Sequence, residues 1–144
     1  MTHGGDTTAR SYGVEVDFGS RAGLRDAQTR LLAAMPQAHL DFLRALPRSL
    51  ILGDYFFCHA GIRPGLPLDR QDPDDLIWIR KEFLSASALY PKIIVHGHTP
   101  SSTPEVLPNR INVDTGAVKT GTLTAVVLEG TTKRFIDVRI ESAD

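Results

Sequence analysis

Residues 49–61, SLILGDYFFCHAG, and residues 92–100, KIIVHGHTP, decide how this chain folds. In the first stretch two apolar, aromatic-rich runs flank Gly53-Asp54, a two-residue turn containing glycine, and that pattern predicts a β-hairpin. The second stretch is a short β-branched run ending in a glycine and a proline. It predicts a strand that carries His96 and His98 at its carboxyl end or delivers them to the loop just beyond. His59 stands where the second hairpin strand runs out. Histidines at the ends of separate strands lie where side chains of a sheet protein can converge on one site.

Outward from these stretches, INVDTGA, TLTAVVLEG and TKRFIDVRI are three further strand candidates, the last two joined by Glu129-Gly130 as a hairpin. On the amino-terminal side, Leu24, Ala27, Leu31, Leu32 and Met35 recur at helical spacing over Arg21–Met35, and Pro36 interrupts the pattern. Leu40, Leu43 and Leu46 do the same over Gln37–Leu46, where Pro47 ends the run. Residues 21–47 therefore read as a helical hairpin and residues 48–144 as the sheet-forming part. Between the strands, Asp-Pro-Asp-Asp at 72–75 opens a helix or helical turn through Leu84. Residues 1–20, rich in Gly, Thr and Ser, read as a loop with no folded element.

Composition narrows the field. The chain has 144 residues, 42% of them hydrophobic, enough for one domain with a real core and without a case for two. Sixteen Lys and Arg nearly balance 17 Asp and Glu, for a formal charge of -1, so no overall field favours nucleic acid or an anionic membrane. Any phosphate binding has to be local. The single cysteine, Cys58, excludes an internal disulfide, and no apolar run approaches the roughly 20 residues that cross a bilayer. A soluble, cytoplasmic protein is expected.

The candidate residues each have a plain structural alternative. His59 and His98 can be ligands to a shared ion, imidazole being suited to Zn, Fe and Mn, or partly buried histidines satisfied by backbone carbonyls. His96 competes with His98 for such a role; lying before the glycine, it reads as core or as a support to the ligands. Arg80, in LIWIR, and Arg63, in GIRPG, are possible phosphate clamps or ordinary surface arginines. Asp114 in NVDTG can ligate, orient a histidine, or make a turn with the following Thr-Gly. His3 and His39 read as surface or helix residues, and Cys58 as a small buried apolar side chain.

Taken in order, FFCHAGIRPG, LIWIR, IVHGHTP and INVDTGAVKTGTLTAVVLEG resemble the second half of bacterial calcineurin-like metallophosphoesterases of the phosphoprotein phosphatase family. That family includes serine/threonine protein phosphatases and bis(5′-nucleosyl)-tetraphosphatases. The stretch GGDTTARSYGV is similar to the segment on the carboxyl side of the family's Gly-Asn-His-Glu/Asp motif. The resemblance implies an α/β (α+β) chain forming the C-terminal half of a β-sandwich with flanking helices. It implies His59 and His98 as ligands in a two-metal centre of Mn, Fe or Zn, and Arg80 as the phosphate contact of a Trp-x-Arg motif. In such centres the ions activate a bridging water for attack on a phosphoryl group.

The family's remaining ligands come from Gly-Asp-x-His, Gly-Asp-x-x-Asp-Arg-Gly and Gly-Asn-His motifs, none of which this sequence contains. Its Gly-Asp pairs, Gly5-Asp6 and Gly53-Asp54, lack the residues that should come next. Two imidazoles cannot by themselves complete a divalent shell. The first expectation is thus a truncated hydrolase of phosphorylated protein or nucleotide substrates, inactive alone and holding metal weakly or not at all. The second is a half-domain completed by a partner chain or by self-association through exposed sheet. The third is a non-catalytic phosphate-binding module.

Overall fold

The computed structural model describes residues 4–140. They divide into two compact units that meet at Leu46 and Pro47, where composition gave no reason to expect more than one. The boundary falls at Pro47, between the helix Gln37–Ala45 and the strand Ser49–Leu52.

The first unit holds three helices: α1 (Gly5–Ser11), α2 (Arg21–Ala34) and α3 (Gln37–Ala45). The helix α1 corrects the expectation of a structureless residue 1–20 segment. Its composition is loop-like, but Asp6 and Arg10 pair across one turn and Ala9 is buried with Val14 and Ala27. Packing here overrides weak intrinsic propensity. The helix closes with Gly13 at φ 75°, its N–H donating to the Arg10 carbonyl. Ser20 caps α2 as Ser, Thr, Asp and Asn do, its Oγ accepting from the Gly23 N–H at 2.9 Å. Both helices of the expected hairpin form. Their apolar faces are only partly covered, with Leu43 and Leu46 about half exposed.

The second unit carries a five-stranded sheet in the order β1-β2-β3-β5-β4, built from β1 (Ser49–Leu52), β2 (Tyr55–Cys58), β3 (Ile93–His96), β4 (Glu105–Val106) and β5 (Arg110–Asn112). A separate ribbon pairs β6 (Thr122–Glu129) with β7 (Thr132–Arg139). The hairpin at Gly53-Asp54 forms as its sequence predicts: Leu52 pairs with Tyr55, and Gly53 takes φ 57°. The mixed α/β class expected from the sequence is what forms. The very short β4 carries too little pattern to be read from sequence.

What matters for the site is direction. β2 runs parallel to β3, and β3 parallel to β5. Three strands therefore end at one edge, where the sequence has His59, His96 to His98, and Asp114.

Below that edge lies the core of Phe56, Ala60, Ile62, Leu76, Ile79, Phe83 and Ile94. The segment read as one helix or helical turn is two short helices, α4 (Asp75–Trp78) and α5 (Lys81–Leu84), because the backbone leaves helical geometry at Ile79 and Arg80. Buried Arg110 holds the second of them: it donates to the carbonyls of Leu84 at 2.8 Å and Ala86 at 3.2 Å, with its guanidinium over the Phe83 ring. A last short helix, α6 (Ala117–Thr120), leads into β6, and Thr115 ties the two by donating to the Thr122 carbonyl. No helix among the described residues is long and apolar enough to cross a membrane.

Gly61 sits at φ 147°, and a Cβ there would overlap Phe83 Cδ1. Both the backbone conformation and the space demand glycine. Gly61→Ala is expected to destabilise the chain by about 1–3 kcal/mol, read as a lower urea midpoint at unchanged slope.

Candidate functional site

The edge is assembled by backbone hydrogen bonds that extend the parallel ladder past the strands. The Gly97 N–H donates to the His59 carbonyl at 2.9 Å, and the Val113 N–H donates to the His96 carbonyl at 3.0 Å. These bonds draw the residues after β2, β3 and β5 together. His59 Nε2 and His98 Nδ1 come within 3.0 Å, so one ring N–H donates a hydrogen bond to the other ring's bare nitrogen.

His98 adopts φ 66°, and across it the Thr99 N–H bonds to the Gly97 carbonyl at 2.8 Å, a tight γ-type turn. A non-glycine residue in that region costs on the order of 1–3 kcal/mol and persists only where its surroundings hold it. Here they do. Arg80 donates to the His98 carbonyl and to Thr99 Oγ1, both at 2.9 Å. Asn112 donates to the Thr99 carbonyl at 3.0 Å. The Trp78 ring lies against the His98 ring, centroids 5.6 Å apart at 80°.

The remaining candidates divide between the site and other duties. His96 is buried, set edge-on against Phe83, and its Nδ1–H donates to the Gly97 carbonyl, which can only accept. Its Nε2 has no hydrogen-bond partner among the described residues. Burial lowers its pKa from 6.5 to about 4, with the Arg110 charge adding to the effect, so the ring is neutral at pH 7. Asp114 lies at the edge and takes the turn role: its Oδ1 accepts from the Gly116 N–H at 2.9 Å. Arg63 is engaged elsewhere, forming a two-pronged pair with Asp75 at 2.5 and 2.6 Å that raises its pKa. His39 is exposed on α3 and meets the Tyr12 hydroxyl, while His3 lies outside the described residues.

Beside the histidines opens a cleft of about 400 Å³ between the five-stranded sheet and the ribbon. Phe57, Val95, Val113 and Leu123 make its walls apolar, and His59, His98 and Asp114 lie along it. Sequence reasoning missed Thr99 and Asn112, the braces of the turn. The hydroxyl next to His98 was a visible signal, but Asn112 in a strand carried none.

As a metal centre the residues fit in part. Two donors bonded to one ion at about 2.0–2.1 Å and near a right angle lie ~3 Å apart, which matches the His59 and His98 nitrogens. Yet no group of three or more His, Cys, Asp or Glu that could hold an ion occurs among the described residues. The described residues would supply at most two positions of a shell, and no chemical step through a metal can be built from them alone.

One buried and one half-buried group have titrations that can be measured. His96 must charge in the unfolded chain at a higher pH than in the fold, so its contribution is intact above pH 6.5 and is lost as pH falls toward 4. That loss reaches up to ~3 kcal/mol, and a His96→Leu variant should show a flatter urea midpoint across this interval. Cys58, its thiol pushed up to about 12 by burial, should resist alkylation at neutral pH until the chain is unfolded in urea.

No family model matches the chain, and no curated protein matches it. Among solved structures, it is similar to a candidate diadenosine tetraphosphatase with a TM-score of 0.65 and 21% sequence identity, covering 95% of this chain. The chain spans 65% of the length of that protein. At this level of identity the likeness shows a shared fold.

Proposed function

We propose that this chain is the histidine-bearing part of a metal-dependent phosphoesterase, with His59 and His98 as two ligands of its centre and Arg80 beside them as the contact for a phosphoryl group. The observation that carries the proposal is the meeting of the two imidazoles at 3.0 Å on a turn that Arg80 itself holds. Structural ion-pair and turn-capping roles would explain an arginine or a histidine singly. They do not explain why a strained residue at a strand end should present its ring to a second histidine. The fold shared with a candidate diadenosine tetraphosphatase supports the same reading and makes phosphorylated nucleotides a substrate class to test. In a complete centre the ions, of the Mn, Fe or Zn type, would supply an activated water and polarise the phosphoryl group. In this reading the carboxylates of such a centre are supplied by further chain, since no group of three or more suitable side chains gathers among the described residues.

A second reading concerns where those carboxylates reside. Leu50, Ile51 and Leu52 of the edge strand β1 are each more than half exposed, as are Leu123 and Val138 of the ribbon. Apolar strands left open in this way favour pairing with further chain. A partner polypeptide that completes the sheet and the shell together accounts for both observations.

Calorimetric titration with Zn²⁺ and hydrolysis of an aryl phosphate in Mn²⁺ test the proposal. Weak Zn²⁺ binding is expected, lost in either His59→Ala or His98→Ala and retained in His39→Ala, with no hydrolysis by the chain alone. Binding that survives His98→Ala would exclude that residue as a ligand. Hydrolysis that requires Mn²⁺ and disappears in His98→Ala would show that residues already present, Asp114 first among them, complete the shell.

A further inference from the structure

The two edges of the five-stranded sheet differ in how far they are protected against further pairing. β4, at one end, is only Glu105–Val106, short and charged. β1, at the other, runs Ser49–Leu52 with no charge, proline or glycine in it. Because the far side of β2 is taken by β3, β1 is outermost and has no strand partner on its open side among the described residues. Leu50, Ile51 and Leu52 are each more than half exposed. An edge is ordinarily blunted by charge, proline or a bulge, and this one carries none of these devices.

The hairpin settles which backbone groups of β1 face outward. Leu52 lies opposite Tyr55 across the two-residue turn, so Leu52 and Leu50 exchange their bonds with β2. The N–H and C=O groups of Ser49 and Ile51 point to the open side. A strand that pairs antiparallel with its own copy about a two-fold axis sets one residue opposite itself and the others at equal distances on either side. An axis at Leu50 would set Arg48 against Leu52. An axis at Ile51 sets Leu50 against Leu52 and Arg48 against Asp54, so apolar meets apolar and cation meets anion, twice each. Arg48 and Asp54 make only exposed contacts at 3.4 Å within the chain, to Asp74 and Lys92, and such pairs are readily shared with a neighbour.

From this self-complementarity we infer that β1 pairs antiparallel with β1 of a second copy of this chain, about an axis at Ile51, joining two five-stranded sheets edge to edge. The Ile51 N–H of each copy donates to the Ile51 carbonyl of the other. The complement that this edge requires, an apolar strand flanked by a cation and an anion in reverse order, is present in the chain itself. The inference concerns β1 alone and does not rest on the phosphoesterase reading.

Sedimentation equilibrium of the full chain over a range of concentrations tests it. A reversible shift from the 15.8 kDa of one chain to twice that mass is expected, with amide exchange at Ile51 slowing in step. Ile51→Pro removes only an outward N–H and should give a folded monomer. Ile51→Lys and Ile51→Glu each bring like charges face to face and should weaken the dimer by on the order of 100-fold, while an equimolar mixture of the two regains it. A wild-type chain that keeps the mass of one copy throughout would overturn the inference. So would a dimer that survives Ile51→Pro, or a mixture of the Lys and Glu variants that stays monomeric. Should circular dichroism show the Pro variant unfolded, the Lys and Glu mixture decides alone.

Discussion

Everything proposed for this chain depends on the parallel pairing of β2 with β3 and of β3 with β5. Parallel neighbours finish at the same edge, so residues far apart in sequence are delivered to one place without any help from their own side chains. An antiparallel β3 would have carried its two histidines to the opposite end of the sheet from His59. The register is fixed by what the strands bury: Phe56 opposite Ile94, and Ile94 opposite Arg110. A slip of one residue would turn those side chains to the other face.

On that scaffold the His98 turn is a local conflict resolved by its neighbours. Its left-handed backbone is unfavourable, and four contacts converge on it: Arg80 at its carbonyl, Asn112 at the next one, Trp78 and His59 against its ring. Arg110 contributes at one remove, since it fixes α5 and with it the start of that helix at Arg80. The arginine that would greet a phosphate is thus also part of the frame. If it binds phosphate as proposed, its binding and its structural role are coupled.

The sequence was most legible where pattern and chemistry coincided. The Gly53-Asp54 turn, the alternating ribbon and the positions of His59 and His98 past their strands can all be read from local signals. Legibility failed where tertiary packing outweighed composition. The helix α1 rests on the burial of Ala9 among distant residues, and the break at Ile79–Arg80 interrupts an apolar period that runs on through Phe83. Local sequence left Arg63 and Arg80 both open as phosphate contacts, and only the resemblance to a Trp-x-Arg motif set Arg80 ahead. Only the folded chain shows one occupied by Asp75 and the other at the histidines.

The same topology sets the order in which the chain comes together. β1 and β2 meet through a two-residue turn, and β6 and β7 through another, so both hairpins can zip on the microsecond scale of local contacts. β2 and β3 must close the long connection from Cys58 to Ile93 before any ladder bond rewards the search. The two histidines can approach each other only once that closure is complete. The meeting of His59 and His98 therefore waits on that closure, and a nascent polypeptide has its β1–β2 hairpin before it has the β3 end that brings the two rings together.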